Sequence, residues 1–254
     1  MVLFSLAMTW IVMSVKKETK GPKLASGKVQ VNSRLFMDDI TTTTETMVQT
    51  SYLLEKLIKK LNWGGLYEKV PKCRALVIIK GEVSSRKIEI NGKVIQPIQE
   101  QPVKYVGKWY NASLNEKQQI EAVVQGVKTD LKKVEKCRLP GRYKAWMVQH
   151  MLLPRLMWPL SIYNVPMTTV EMIQKLITKA LKRWLGLPTK LSTACFYSKT
   201  SKLQFPYTEL VEEVKVAKAR NQVTLANSKD KCIKGAEIII DGGRKANTPK
   251  EVEE

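Results

Sequence analysis

The strongest constraint on the fold is a change of hydrophobic rhythm near residue 115. Before it, apolar residues come in short runs bounded by turn pairs such as Gly21-Pro22 and Asn91-Gly92. After it, they recur every three or four residues over long stretches, the spacing of a helix with one buried face. A chain patterned this way is α+β, with strands and helices in front and an all-helical module behind. The 254 residues allow one large domain or two small ones.

In the front part, Met1 to Met13 is almost wholly apolar. No basic stretch precedes it and no small-x-small cleavage pattern follows, so it does not read as a secretory leader. It is also shorter than the ~20 residues needed to span a bilayer. A helix over 1–17, buried in a larger core, is expected; the other reading is a signal-peptide core or short membrane anchor at residues 1–13. Val29 to Phe36 reads as a strand with Met37-Asp38 at a hairpin tip, and Ile40 to Thr44 as its return. Thr42 with Glu45 has the spacing of a capping box. It would open an amphipathic helix on the stripe Val48, Tyr52, Leu53, Leu57, Ile58 and Leu61. Ala75 to Ile79 is long enough only for a strand. Lys87 to Ile95 alternates around Asn91-Gly92, a strong hairpin signal. Val103 to Tyr110 reads as one strand with Gly107 inside it, where a glycine marks a bulge or a close backbone approach.

Behind residue 115, helices are expected over Glu116 to Val134, Arg142 to Leu153 and Leu210 to Leu225. Pro154 and Pro159 should end or kink the second of these. Thr168 and Glu171 form another capping-box pattern. The helix it opens would bury Met172, Ile173, Leu176, Ile177, Ala180, Leu181 and Trp184, and present Lys175, Lys179, Lys182 and Arg183. Trp146, Trp158 and Trp184 lie on or beside apolar stripes, which places them in the core. His150 reads as a packing or surface residue.

There are 43 lysines and arginines against 23 aspartates and glutamates, a net charge of +20. The excess is spread over several segments, as suits a groove that follows a phosphate backbone. The cysteines, Cys73, Cys137, Cys195 and Cys232, are too far apart for a Cys-x₂₋₄-Cys metal site, so reduced thiols in an intracellular protein are expected.

Phe36-Met37-Asp38-Asp39 stands out chemically. Adjacent carboxylates after a short apolar strand add little to a fold. They suit Mg²⁺, a hard ion held by one or two carboxylates together with substrate phosphates. An Asp pair of this kind is also a common solvated turn.

The neighbouring segments add to it. Phe36-Met37-Asp38-Asp39 resembles the aromatic-x-Asp-Asp motif C of a polymerase palm. Pro71-Lys72-Cys73-Arg74 before Ala-Leu-Val-Ile resembles motif D, and Lys104-Tyr105-Val106-Gly107 resembles motif E, the primer-grip hairpin. Leu139 to Trp146, Leu153-Pro154-Arg155 and Arg183 to Pro188 resemble the helical thumb and the segment after it. In this order, the segments resemble a reverse transcriptase of the non-LTR (LINE-type) retrotransposon class, from the N-terminus to about residue 245.

The resemblance implies a partial palm over 1–112, a thumb-like helical module over 113–190, a basic helical extension over 191–240 and a disordered tail over 241–254. It implies an RNA template and a DNA primer as partners, deoxynucleoside triphosphates as substrates if the chain is active, and a nuclear or cytoplasmic location away from membranes. Asp38 and Asp39 would ligate Mg²⁺, Lys72 would meet phosphate, and Tyr105, Val106 and Gly107 would hold the primer. Lys175, Lys179, Lys182 and Arg183 would contact duplex phosphates. Neither motif A, with its further metal-binding aspartate, nor motif B, a Gln-Gly-x-Pro-like loop, is found in this sequence. Weak or absent polymerase activity is therefore expected of these residues alone. The alternative is a nucleic-acid-binding remnant with no chemistry.

Overall fold

The computed structural model describes residues 2–24, 27–113, 115–197 and 207–235. They form an α+β chain of two compact units, one built on 2–115 with 228–235, the other on 116–227. The expected tail over 241–254 lies outside the described residues, as does part of the expected extension over 191–240.

The first unit opens with α1 (Val2–Lys16), the hairpin strands β1 (Ser33–Phe36) and β2 (Asp39–Thr42), and α2 (Met47–Trp63). Met8, Ile11 and Val15 of α1 pack on Leu53, Leu57 and Leu61 of α2, and the hairpin adds Leu35 and Ile40 to this core. The expected burial of residues 1–13 holds on one side only. Leu3 is 81% and Trp10 68% exposed on α1. The helix at α2 starts later than the capping pattern at Thr42 and Glu45 suggests. Thr46 is the N-cap, and its hydroxyl accepts from the Gln49 amide at 3.2 Å. Thr46 and Gln49 have the same three-residue spacing as Thr42 and Glu45. Thr42 is instead held in β2, paired with Ser33.

A 3₁₀ turn at Val70–Lys72 leads into β3 (Arg74–Ala75), β4 (Val77–Ile79), β5 (Glu82–Ser84), β6 (Ile88–Ile90) and β7 (Lys93–Pro97). Strands β3, β7 and β6 form a sheet in that order, with β3 parallel and β6 antiparallel to β7. Its apolar side, Ala75, Ile88, Ile90 and Ile95, packs with Ile58 and Val70. The Asn91-Gly92 hairpin forms as expected.

Two other strand expectations are corrected. Ala75 to Ile79 is not one strand, because β4 turns back on β5 through Lys80 (φ 52) and Gly81 (φ 86). Val103 to Tyr110 is not one strand either. It is a hairpin of β8 (Val103–Tyr105) and β9 (Lys108–Tyr110), and Gly107 sits in the turn. In both cases a two-residue turn with both φ angles positive has the twist that joins antiparallel strands. Strands β1 and β2 form a two-stranded sheet, so among the described residues no further strand covers either outer edge.

The second unit contains only helices among its described residues: α3 (Lys117–Lys136), α4 (Gly141–Met147), α5 (Leu153–Ile162), α6 (Met167–Trp184), α7 (Ala194–Tyr197) and α8 (Leu210–Ala226). A short α9 (Lys231–Gly235) belongs to the first unit. The core of the second unit joins Val127 of α3 and Ala145 of α4 to Leu156 and Leu160 of α5. Val170, Ile173, Ile177 and Leu181 of α6, Phe196 of α7 and Val214 of α8 complete it.

Between α4 and α5 runs a π-helical turn, Val148–Leu152, with the Leu153 amide donating to the Val148 carbonyl. Helix therefore continues past Pro154 to Ile162 instead of ending there. A proline removes one amide donor and crowds the carbonyl four residues back. The wider turn ahead of it accommodates both effects. The capping box expected at Thr168 and Glu171 is not used. The helix begins at Met167, and the Pro166 carbonyl accepts from the amides of Thr169 and Val170.

Cys73, Cys137 and Cys195 are free thiols; the Cys232 side chain lies outside the described ones. No helix among the described residues is long and apolar enough to cross a membrane.

Candidate nucleic-acid interface

Asp38 lies in the turn between β1 and β2, and Asp39 opens β2 opposite Phe36. Alternation along the strands sends Leu35 and Ile40 into the core and leaves Arg34, Phe36 and Asp39 on the outward face. Asn32 fastens the base of the hairpin to the end of α1. It is 3% exposed, and its Nδ2 donates to the Thr19 carbonyl at 2.6 Å and the Lys16 carbonyl at 3.2 Å. Met37 has φ 56, a left-handed backbone uncommon for a residue with a side chain. The result is a rigidly rooted hairpin with two exposed carboxylates at its tip.

This donor set is short for a resident Mg²⁺. The ion takes near-octahedral oxygen coordination. The described residues contain no group of three or more His, Cys, Asp or Glu side chains placed to hold a metal. Two solvent-facing carboxylates on consecutive residues do not by themselves fit the ion.

Lys72 ends the 3₁₀ turn and faces solvent beside Lys69, Pro71, Asn91 and Lys93. Among the described residues no hydrogen bond or ion pair joins it to Asp38 or Asp39. Tyr105 ends β8, and Val106 (φ 47) and Gly107 (φ 80) make the turn. A β-branched residue in the left-handed region is a genuine outlier. Lys104 lies over the Trp109 ring at 6.0 Å and Lys108 over the Tyr110 ring at 5.6 Å, so cations and aromatics alternate across this hairpin.

The basic residues of α6 divide into two pairs. Lys175 and Lys179 are exposed one turn apart and make no ion pair among the described residues. Lys182 donates to the Thr189 carbonyl at 3.0 Å and also to the Leu191 carbonyl, so it holds the following loop. Arg183 pairs with Glu135 of α3. Glu135 also accepts from Trp184 Nε1 at 2.6 Å, and Lys144 Nζ donates to the Glu135 backbone carbonyl at 2.8 Å. The Trp184 hydrogen bond, then the Arg183 and Lys144 charges, hold the Glu135 carboxyl below the usual glutamate value despite partial desolvation.

Trp184 is part of the core margin, as expected, but Trp146 and Trp158 are not core residues: they are 55% and 53% exposed. The buried side of their helices is already filled by Ala145, Val148, Leu152, Leu153, Leu156 and Leu160. Tyr143, Trp146 and His150 instead share the outer side. The three- and four-residue spacing of these rings was visible in the sequence.

No family model matches the chain. It is similar to the retrovirus-related Pol polyprotein from the type-2 retrotransposable element R2DM of Drosophila melanogaster, at 24% identity over 202 residues. The match takes in 76% of this chain but 18% of that polyprotein, so the chain spans less than a fifth of its relative's length. This distant similarity supports a retroelement origin.

Proposed function

We propose that the chain derives from a reverse transcriptase, with a partial palm in the first unit and a thumb-like module in the second, and that its residues bind template and primer nucleic acid without completing a polymerase site. The observation that carries this is the β1–β2 hairpin. Its inner side chains bind it to α1 and α2, while its tip gives two carboxylates to solvent. Such a tip suits a reaction centre and does nothing for packing. The retroelement similarity supports the same origin.

Adding a nucleotide to a primer, with attack of its 3′-hydroxyl on the α-phosphate and loss of pyrophosphate, would call on two metal ions to stabilise the attacking and leaving oxygens. Asp38 and Asp39 are a partial ligand set for that task. Lys72 has the charge and exposure to meet phosphate, and Lys175 with Lys179 to meet a duplex backbone.

The test is a pair of assays on the purified chain. With a primed RNA template, deoxynucleotides and Mg²⁺, no extension is expected. Extension that disappears in Asp38→Ala would refute the incomplete-site part of the proposal. Binding to an RNA–DNA duplex should weaken steeply with salt. Lys175→Glu with Lys179→Glu should reduce the slope of log affinity against log salt by about 2, since each neutralised phosphate contributes about 0.9. An unchanged slope would remove α6 from the interface.

A further inference from the structure

We propose that Tyr143, Trp146 and His150, on the outer side of α4 and the π turn, form a stacking platform for the unpaired bases of a single-stranded nucleic acid. The proposal rests on the nucleic-acid reading above and adds the kind of strand and the residues that hold its bases.

Packing does not account for these rings. Trp146 is 55% and Tyr143 47% exposed, while the opposite side of the same helical run is fully occupied by core aliphatics. The rings are also arranged among themselves. Trp146 and His150 lie 4.8 Å apart at 35° between ring planes, and the Arg142 guanidinium sits 4.7 Å from the centre of the Tyr143 ring. Trp146 and His150 touch each other at a tilt, and Tyr143, one turn earlier on the same exposed side, has a guanidinium against its ring, which makes an aromatic and partly cationic surface.

Charge selects the partner. From Cys137 to Tyr163 the chain has no aspartate or glutamate; Arg155 there pairs with Asp130 and Lys144 donates to the Glu135 carbonyl, while Arg138 and Arg142 are exposed just before the rings. An acid-free run with exposed rings suits a polyanion with π faces. Proteins that bind single strands combine a basic track with aromatic side chains on which bases stack. In a continuous duplex the base faces are already stacked on each other, so the platform favours unpaired nucleotides.

The test measures binding of the full chain to a labelled single-stranded oligonucleotide and to a duplex of equal length, each over a salt series. Trp146→Ala should weaken single-strand binding by between about 5-fold and about 150-fold, the range for losing one base–aromatic stack. Duplex affinity and both salt slopes should stay at wild-type values, because no phosphate contact is removed. Trp146→Phe should restore most of the loss, and Tyr143→Ala should reproduce part of it. Equal losses on duplex and single strand, or a changed salt slope, would overturn the proposal. Wild-type single-strand affinity in both Trp146→Ala and Tyr143→Ala overturns it too, and leaves this face to a protein partner. A wild-type chain that binds no polynucleotide at low salt defeats the broader reading as well, so the two failures are distinguishable.

Discussion

Replacing Gly141 by alanine should destabilise the second unit, against the usual direction of that change in a helix. Gly141 begins α4 where it meets the end of α6. A Cβ there would lie 1.8 Å from the Trp184 carbonyl oxygen and 2.6 Å from its carbon. Contacts below 3.0 Å are essentially never made by real Cβ atoms, so about 1.2 Å must be found between two backbone segments. Neither can rotate away as a side chain would. Overpacking costs about 1–3 kcal/mol, and a backbone obstruction belongs at the upper end. A shift here also disturbs the Trp184–Glu135 hydrogen bond and the Lys144 ammonium 5.9 Å from the Trp184 ring. A loss of about 2–3 kcal/mol is expected, or roughly 10–20 °C in melting temperature for a unit of this size. Gly126, inside α3 with nothing within 4 Å of its added Cβ, supplies the control. Gly126→Ala should stabilise by up to about 1 kcal/mol through helix propensity alone. Urea unfolding followed by far-ultraviolet circular dichroism measures both variants. If Gly141→Ala proves neutral or stabilising, the close approach of α4 to Trp184 is wrong.

Two further outcomes follow from local geometry. Val106→Asn should stabilise the β8–β9 hairpin by about 1 kcal/mol, because asparagine tolerates the left-handed backbone that a β-branched residue resists; a lower melting temperature would show that Val106 is not strained. Glu135 has its folded pKa depressed, so its contribution is present above the ordinary glutamate value of 4.5 and is lost as pH falls through the lower folded value. Glu135→Gln should therefore be less stable than wild type at about pH 6, with the gap closing as pH falls below 4.5. Parallel denaturation midpoints across that range would refute this.

Much of the fold was legible because long amphipathic stretches carry their own period. The spans from Lys117 to Lys136 and from Leu210 to Ala226 were readable for that reason. The errors came where short-range chemistry competes. Lys80-Gly81 and Val106-Gly107 are hairpin turns without an asparagine or aspartate first, so their strands looked continuous. Thr46 rather than Thr42 caps α2, because two threonines offered the same spacing and strand pairing claimed the earlier one. Pro154 suggested a stop or a kink, and the helical run passes it through the π turn. Among the site residues, the hairpin position of Asp38 and Asp39 was readable from the strand–turn–strand pattern. The different duties of Lys182 and Arg183 were not. Their partners, the Thr189 and Leu191 carbonyls and Glu135, are set by tertiary contact. The exposure of Trp146 was hidden because helical spacing does not say which of two stripes faces inward.

That no further strand among the described residues pairs with the β1–β2 sheet has a consequence for how this protein behaves in solution. Open backbone donors and acceptors along a strand are a template for pairing with another molecule. A net charge of +20 keeps the molecules apart by mutual repulsion. Salt screens that repulsion over a distance of about 10 Å at 0.1 M. The salt that would loosen a nucleic acid bound as proposed therefore also lets copies of the chain approach edge to edge. Solubility should fall as ionic strength rises, and added polyanion, by neutralising the charge, should favour clustering as well.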